Sequence, residues 1–321
     1  MRAASTYIRY TLIFIGIFFT FSSISAYEFW TEMVPMTDGT RLSTKIWTPD
    51  DGSGPWPVLL IRTPYNMEMW GDGLADYTEH GYGVVLQNTR GRFDSQGVDR
   101  TFMDDGWTGN RDGYDCVEWI AAQNWCDGDV GTDGSSAMGI TQLMMAGAVP
   151  PHLTCQFIDV ACPSLYHDAV FQNGVFRKSL VEGWLTAQGS WHMMAEFEAN
   201  PMYNEFWYPV NSTRRRELVE APAIHRGGWY DIYVQGTINS FMDRQYHGAT
   251  GARDNQMLIM GPWTHGGNAM YLQGELSYPA GSQYNQQFPM LFSDWFEYWM
   301  RGEPTGVMNR QPVHYYVMGD V

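Results

Sequence analysis

The sequence predicts an α/β fold, a mainly parallel sheet covered by helices on both faces. Three observations carry that prediction. Short apolar runs alternate with segments of helical periodicity, the pattern of strands buried on both sides. A chain of 321 residues, 44% of them apolar and 17% charged, is globular and long enough for one large domain or two ordinary ones. No unit of roughly 20 to 50 residues recurs, which excludes solenoids and propellers.

The elements follow in order. Arg2 and Arg9 precede an uncharged apolar stretch, Thr11 to Phe21, and the small residues Ser22 to Ala26. That pattern predicts a signal peptide over 1–26, cleaved after Ala26; the stretch is shorter than the about 20 apolar residues a spanning helix needs. The protein is therefore expected to be secreted or periplasmic, with no stable membrane anchor. Phe29 to Met36 and Arg41 to Trp47 read as strands joined at Asp38-Gly39, a hairpin signal. Buried-type strands follow at Pro57 to Arg62, Gly83 to Gln87, Asp129 to Thr132, Thr154 to Val160, Ala221 to His225 and Gln256 to Met260. Helices are expected at Leu74 to His80, at Asp112 to Gln123 with Asp112 as its cap, and at Met138 to Ala148. The stretch 166–220 breaks the alternation, is rich in Trp, Met and Phe, and reads as a helical insertion dividing a core of 27–165 and 221–306. After a helix near Gln287 to Met300, His314 to Met318 alternates as a strand should.

Charge and cysteines bound the function. The net charge is −16, and Lys45 and Lys178 are the two lysines, so a nucleic-acid partner has no electrostatic footprint. Asp127, Asp129 and Asp133 lack a calcium-loop spacing and read as a solvated loop; no metal and no cofactor is required. In an oxidising compartment Cys126 and Cys155, near the starts of neighbouring strands, are expected to form a disulfide, with Cys116 and Cys162 as a weaker pair. Nothing in the sequence sets an oligomeric state.

Chemistry enters at Gly131 to Gln142. A short strand, then Gly134-Ser135-Ser136-Ala137-Met138-Gly139, then a helical run is the context of a nucleophile turn with Ser136 exposed. Gly and Ser also mark ordinary turns, so the motif needs partners. Asp231 and His265 each follow a predicted strand, in the order Ser, Asp, His. Taken singly, Asp231 reads equally as a helix cap and His265 as a surface loop residue; together they make a nucleophile, an orienting carboxylate and a base.

With these residues the sequence resembles the family of cocaine esterase, X-prolyl dipeptidyl-peptidase and α-amino acid ester hydrolase. The resemblance rests on RTPYN (Arg62 to Asn66), QNTRGRFDSQG (Gln87 to Gly97), DGYDCVEWIAAQNWCDGDVG (Asp112 to Gly131), the G-x-S-x-x-G turn, GGWYD (Gly227 to Asp231) and GPWTH (Gly261 to His265). It implies an α/β-hydrolase fold, a triad of Ser136, Asp231 and His265, and an oxyanion hole from the Tyr65 hydroxyl and the Ala137 amide. The family usually places tyrosine after the nucleophile, where this chain has Ala137. Members acting on α-amino acid esters hold the ammonium with acids just after the aspartate; Ile232-Tyr233-Val234 supplies none, and Tyr233 falls where the family presents an aromatic wall. Trp184, Trp191, Phe197 and Trp207 could line a lid over the pocket or simply form core. The segment 307–321 resembles the entry into a truncated carboxy-terminal β-sandwich, which would leave a strand edge exposed and the chain aggregation-prone and poorly active. The expected function is a secreted serine hydrolase acting on a small-molecule ester or a peptide-like substrate such as an X-Pro dipeptidyl bond. The alternative is a non-catalytic ligand-binding protein on a hydrolase scaffold.

Overall fold

In the computed structural model residues 27–71 and 73–319 are described, so the expected signal peptide lies outside the described residues. Nine strands form one sheet: β1 (Tyr27–Pro35), β2 (Arg41–Pro49), β3 (Trp56–Thr63), β4 (Gly83–Asn88), β5 (Cys126–Ser135), β6 (Leu153–Asp159), β7 (Ala223–Tyr230), β8 (Gln256–Thr264) and β9 (Val313–Tyr315). Their spatial order is β1-β2-β4-β3-β5-β6-β7-β8-β9. β1 and β2 run antiparallel, as does β2 against β4; every later pairing is parallel.

Parallel strands need crossovers, and helices supply them: α1 (Asp112–Ala121), α2 (Ala137–Ala148), α3 (Lys178–Gln188), α4 (Met193–Ala199), α5 (Val234–His247) and α6 (Leu291–Arg301). Because successive side chains point to opposite faces, a strand apolar at every position must be covered twice. In β8, Leu258 and Met260 pack with Phe241 of α5, whereas Met257 and Ile259 join Trp295 and Phe296 of α6 on the other face.

The hairpin at Asp38-Gly39 forms, with Gly39 at φ 84°. Two local expectations change. Arg111, not Asp112, occupies the α1 cap position, and the Asp112 carboxylate turns to the Arg90 guanidinium at 2.6 and 2.9 Å. The segment Ala75–His80 is a 3-10 helix. The last strand, Val313–Tyr315, pairs with β8 on one side, the Leu258 amide donating to Pro312 and the Tyr316 amide to Met260, each at 2.7 Å, and its other side is the edge of the sheet.

The expected disulfide is absent. All four cysteines are free and buried. Register explains it, since Cys155 lies opposite Gly131 rather than opposite the start of β5. Cys126 begins β5 five positions earlier, on the order of 15 Å along the strand. The two thiols also sit in different cores, Cys126 beside Cys116 and Val130, and Cys155 beside Phe157 and Trp295. Cys162 lies in a third, so its pairing with Cys116 fails too. Burial raises the thiol pKa of Cys116 to about 12 and of Cys126 to about 11.

Between β6 and β7 lie a π-helical turn (Leu165–Val170), a short hairpin, α3, α4 and two 3-10 turns. Their apolar faces share one core with α2, in which Leu165, Leu185, Phe197 and Trp207 are buried.

Candidate active site

Ser136 is the hinge between β5 and α2. Its φ of 58° is rare for a residue with a side chain, and it turns the hydroxyl out of the strand path. Both glycines of the motif have steric reasons. Gly134 sits at φ +152°, where a Cβ would lie 2.6 Å from that of Met138; a Cβ on Gly139 would lie 2.6 Å from that of Ala161.

Asp231 comes directly after β7 and His265 directly after β8, so parallel pairing of these strands brings the two loops together. His265 Nδ1 donates to Asp231 Oδ2 at 2.7 Å, and its Nε2 lies 2.8 Å from Ser136 Oγ, which donates to it. The other oxygen, Asp231 Oδ1, accepts from the Tyr233 amide at 2.6 Å. Asp231 is buried and His265 half-buried, so the line of three runs from interior to cavity.

The Ala137 amide, in the first turn of α2, has no intrahelical acceptor by its position. The Tyr65 ring packs against the same core as α2, and its hydroxyl accepts from Trp184 Nε1 at 3.2 Å. Because indole only donates, the Tyr65 O–H proton is left for another acceptor.

Two cavities meet at Ser136. The first, about 40 Å³, is walled by Phe102, Ala137, Ile140, Leu165, Val181, Trp184, Leu185, Phe197 and Tyr233, with no charged residue. The second, about 630 Å³, holds Asp133, Asp159, Arg226, His265 and Asn268 beside Trp70 and Tyr77. The expected pocket residues divide accordingly. Trp184, Phe197 and Tyr233 line the apolar cavity, the Tyr233 ring meeting the His265 ring edge to face at 5.5 Å. Trp191 does not: it is 51% exposed, past the end of α3 at Gly189. Trp207 is buried core, its Nε1 donating to Asn200.

Asp133 corrects another expectation. It is no solvated loop residue but a half-buried member of β5, and burial, against a smaller opposing effect of Arg226, raises its carboxyl to about 7. Its signal was in the sequence, two residues ahead of the Ser135-Ser136 pair and of one parity along the strand with Gly131. Arg226 and Asp159 gave no signal; they form a two-pronged ion pair at 2.8 and 2.7 Å.

Several residues of the resembling blocks hold the frame instead of the chemistry. Buried Arg62 pairs with Asp105 and donates from Nε to Gln87 at 2.8 Å. Arg90 ties Asp38 of the first hairpin to Asp112 of α1. The Asn88 side chain donates to the carbonyls of Thr63 and Tyr65, at 3.1 and 2.7 Å, which seats the Tyr65 loop.

A mainly parallel sheet with helices on both faces and a serine on a strained strand-to-helix turn defines an α/β-hydrolase fold. A family profile described as X-Pro dipeptidyl-peptidase (S15 family) matches residues 38–196 and 186–267, more than half the chain. The chain belongs to that family of serine hydrolases. The cocaine esterase of Rhodococcus sp. is 26% identical over 343 residues, covering 89% of this chain and 57% of that protein. Among solved structures, an aminopeptidase from a marine-sediment Thaumarchaeota archaeon superposes with a TM-score of 0.75 at 20% identity, covering 96% of this chain and 60% of that one. An α-amino acid ester hydrolase gives 0.73 at 20% identity, covering 95% and 60%. The chain thus spans between half and two thirds of the length of these relatives. Among the described residues no helix is long and apolar enough to cross a membrane.

Proposed function

We propose that this chain is a secreted serine hydrolase that cleaves an ester or amide bond through an acyl-enzyme. The observation that carries the proposal is the unbroken hydrogen-bonded line from Asp231 through His265 to Ser136. In the first half-reaction His265 Nε2 takes the Ser136 proton as Oγ attacks the carbonyl carbon, and Asp231 steadies the imidazolium. In this reading the oxyanion is held by the Ala137 amide and the Tyr65 hydroxyl, since donors fixed before charge develops stabilise it most. His265 then returns its proton to the departing alcohol or amine. Water, deprotonated by the same ring, releases the acid and restores Ser136.

The two cavities suggest which half of the substrate goes where. His265 lines the polar cleft and must face the group it protonates, so the leaving group belongs there and the acyl group in the apolar cavity. The segment 166–220 acts as a cap whose α3 and α4 close that cavity. Substrates are small esters or peptide-like amides, and the family description makes an X-Pro dipeptidyl amide one to assay. A ligand-binding role alone does not account for the strained Ser136.

A fluorophosphonate probe tests the reading. Wild type and Ser135→Ala should be labelled and hydrolyse aryl esters, whereas Ser136→Ala should do neither. Equal labelling of wild type and Ser136→Ala refutes it. Amino-terminal sequencing of exported protein should begin at Tyr27.

A further inference from the structure

We infer that the cleft on the His265 side of Ser136 is a subsite for a positively charged leaving group, with Asp133 as its anionic contact. The inference rests on the acyl-enzyme reading, and deepens it by naming a substrate class.

The charges in the cleft do not balance. Arg226 is committed to Asp159 through both Nε and Nη2, and Asn268 adds a contact to the same carboxylate at 3.3 Å. The Arg226 guanidinium is further held over the Tyr284 ring at 4.1 Å. Asp133 has no ion pair and no side-chain partner among the described residues, and its carboxylate is within reach of the Gly134 amide. Two carboxylates against one guanidinium leave the cleft about one negative charge in excess once Asp133 ionises. Groups facing Asp133 from the packed elements are Tyr77, Tyr284, Arg226 and Asp159, with His265 on the rim. None but Arg226 is a standing cation, and Arg226 is already neutralised.

Other residues lining the cleft have the complementary chemistry. Trp70 and Tyr77 line the cleft, and aromatic faces attract organic ammonium groups. A carboxylate lacking a cation, aromatic lining, and room of about 630 Å³ together fit an alkylammonium better than a neutral polyol, which would leave Asp133 uncompensated. Burial raises the Asp133 carboxyl to about 7. An arriving ammonium favours its ionised form.

The test uses two esters of one acid and nearly one shape: butyrylcholine and the uncharged 3,3-dimethylbutyl butyrate. Wild type at pH 8 should show kcat/KM at least about tenfold higher for the cationic ester, which corresponds to about 1.4 kcal/mol. Asp133→Asn should bring that ratio close to one, while Asp127→Asn, at an exposed position of the same strand, should leave it unchanged. A ratio near one in wild type, or one that survives Asp133→Asn, overturns the subsite. If Asp133→Asn does not fold, competition on wild type decides: tetramethylammonium should inhibit more strongly than 3,3-dimethylbutan-1-ol, and equal or absent inhibition overturns the proposal. Turnover of p-nitrophenyl butyrate with Ser136 labelled, but no cation preference, rejects the subsite alone; neither turnover nor labelling rejects the hydrolase reading and the subsite with it.

Discussion

The two cavities that meet at Ser136 are built from different parts of the chain. The apolar one is walled largely by the insertion after β6, whose Leu165, Val181, Trp184, Leu185 and Phe197 belong to a continuous hydrophobic core. The polar one is walled by the ends of the sheet strands themselves, with Asp133 from β5, Asp159 from β6, Arg226 from β7 and His265 after β8. On the proposed reading the difference teaches that the chemistry is fixed to the sheet, where strand pairing sets positions tightly, and that acyl selection is the cap's. A change in one wall should then leave the other's selectivity intact.

The largest expected effect erases the comparison, because both cavities share one reaction centre. Asp231→Asn should lower kcat by about 10⁴-fold for every ester, whatever its acyl or leaving group, through loss of the His265 tautomer. A loss confined to one substrate class in a panel assay would show that Asp231 shapes a wall instead. Next, Tyr65→Phe removes one donor to the oxyanion and should cost about 10²- to 10³-fold in kcat with little change in KM, again across the panel. An unchanged kcat would assign the hydroxyl to packing under Trp184.

The third prediction separates the walls. Ala169, buried in the apolar cavity, replaced by Trp should fill it and depress butyryl or benzoyl esters relative to acetyl esters by about 10- to 100-fold in kcat/KM. Its ratio of choline to dimethylbutyl esters should not move; if it does, the two cavities are not separate sites. The smallest effect concerns stability. The Asp133 carboxyl titrates at 3.8 in an ordinary setting and at about 7 in the folded chain. Between those values the folded state holds the extra proton, so Asp133 makes stability fall as pH rises from about 4 to about 7. Asp133→Asn should flatten that part of the profile, raising the melting temperature more at pH 8 than at pH 5. A parallel shift at both pH values would mean that the carboxyl is not raised.

Much of the fold is legible along the chain, because buried parallel strands announce themselves as apolar runs. Pro57 to Arg62 and Gln256 to Met260 are such runs, and both strands extend them by only a few residues. The meeting of Ser136, Asp231 and His265 is legible for a related reason: each ends a strand of one sheet, and parallel strands gather their carboxyl ends on one edge. The Asp133 environment is not. Asp129 to Thr132 reads as a short strand, but that reading stops one residue before Asp133, and pairing with β6 carries the strand on through Asp133 to Ser135. Trp184 and Trp191 are seven residues apart, a spacing that would share a helix face, but Gly189 in the left-handed conformation ends α3 between them and sends Trp191 to solvent.

By itself, then, the sequence determined the element types, their order, and which serine, aspartate and histidine could meet, since periodicity and strand-end placement are local properties of a chain. The tertiary structure alone decided register and desolvation. Register kept Cys126 and Cys155 apart and free, although both lie near the starts of their strands. Desolvation turned Asp133 from an apparent loop acid into a carboxylate without a cation. Both depend on which atoms arrive from distant segments, and no residue carries that information in its own neighbourhood.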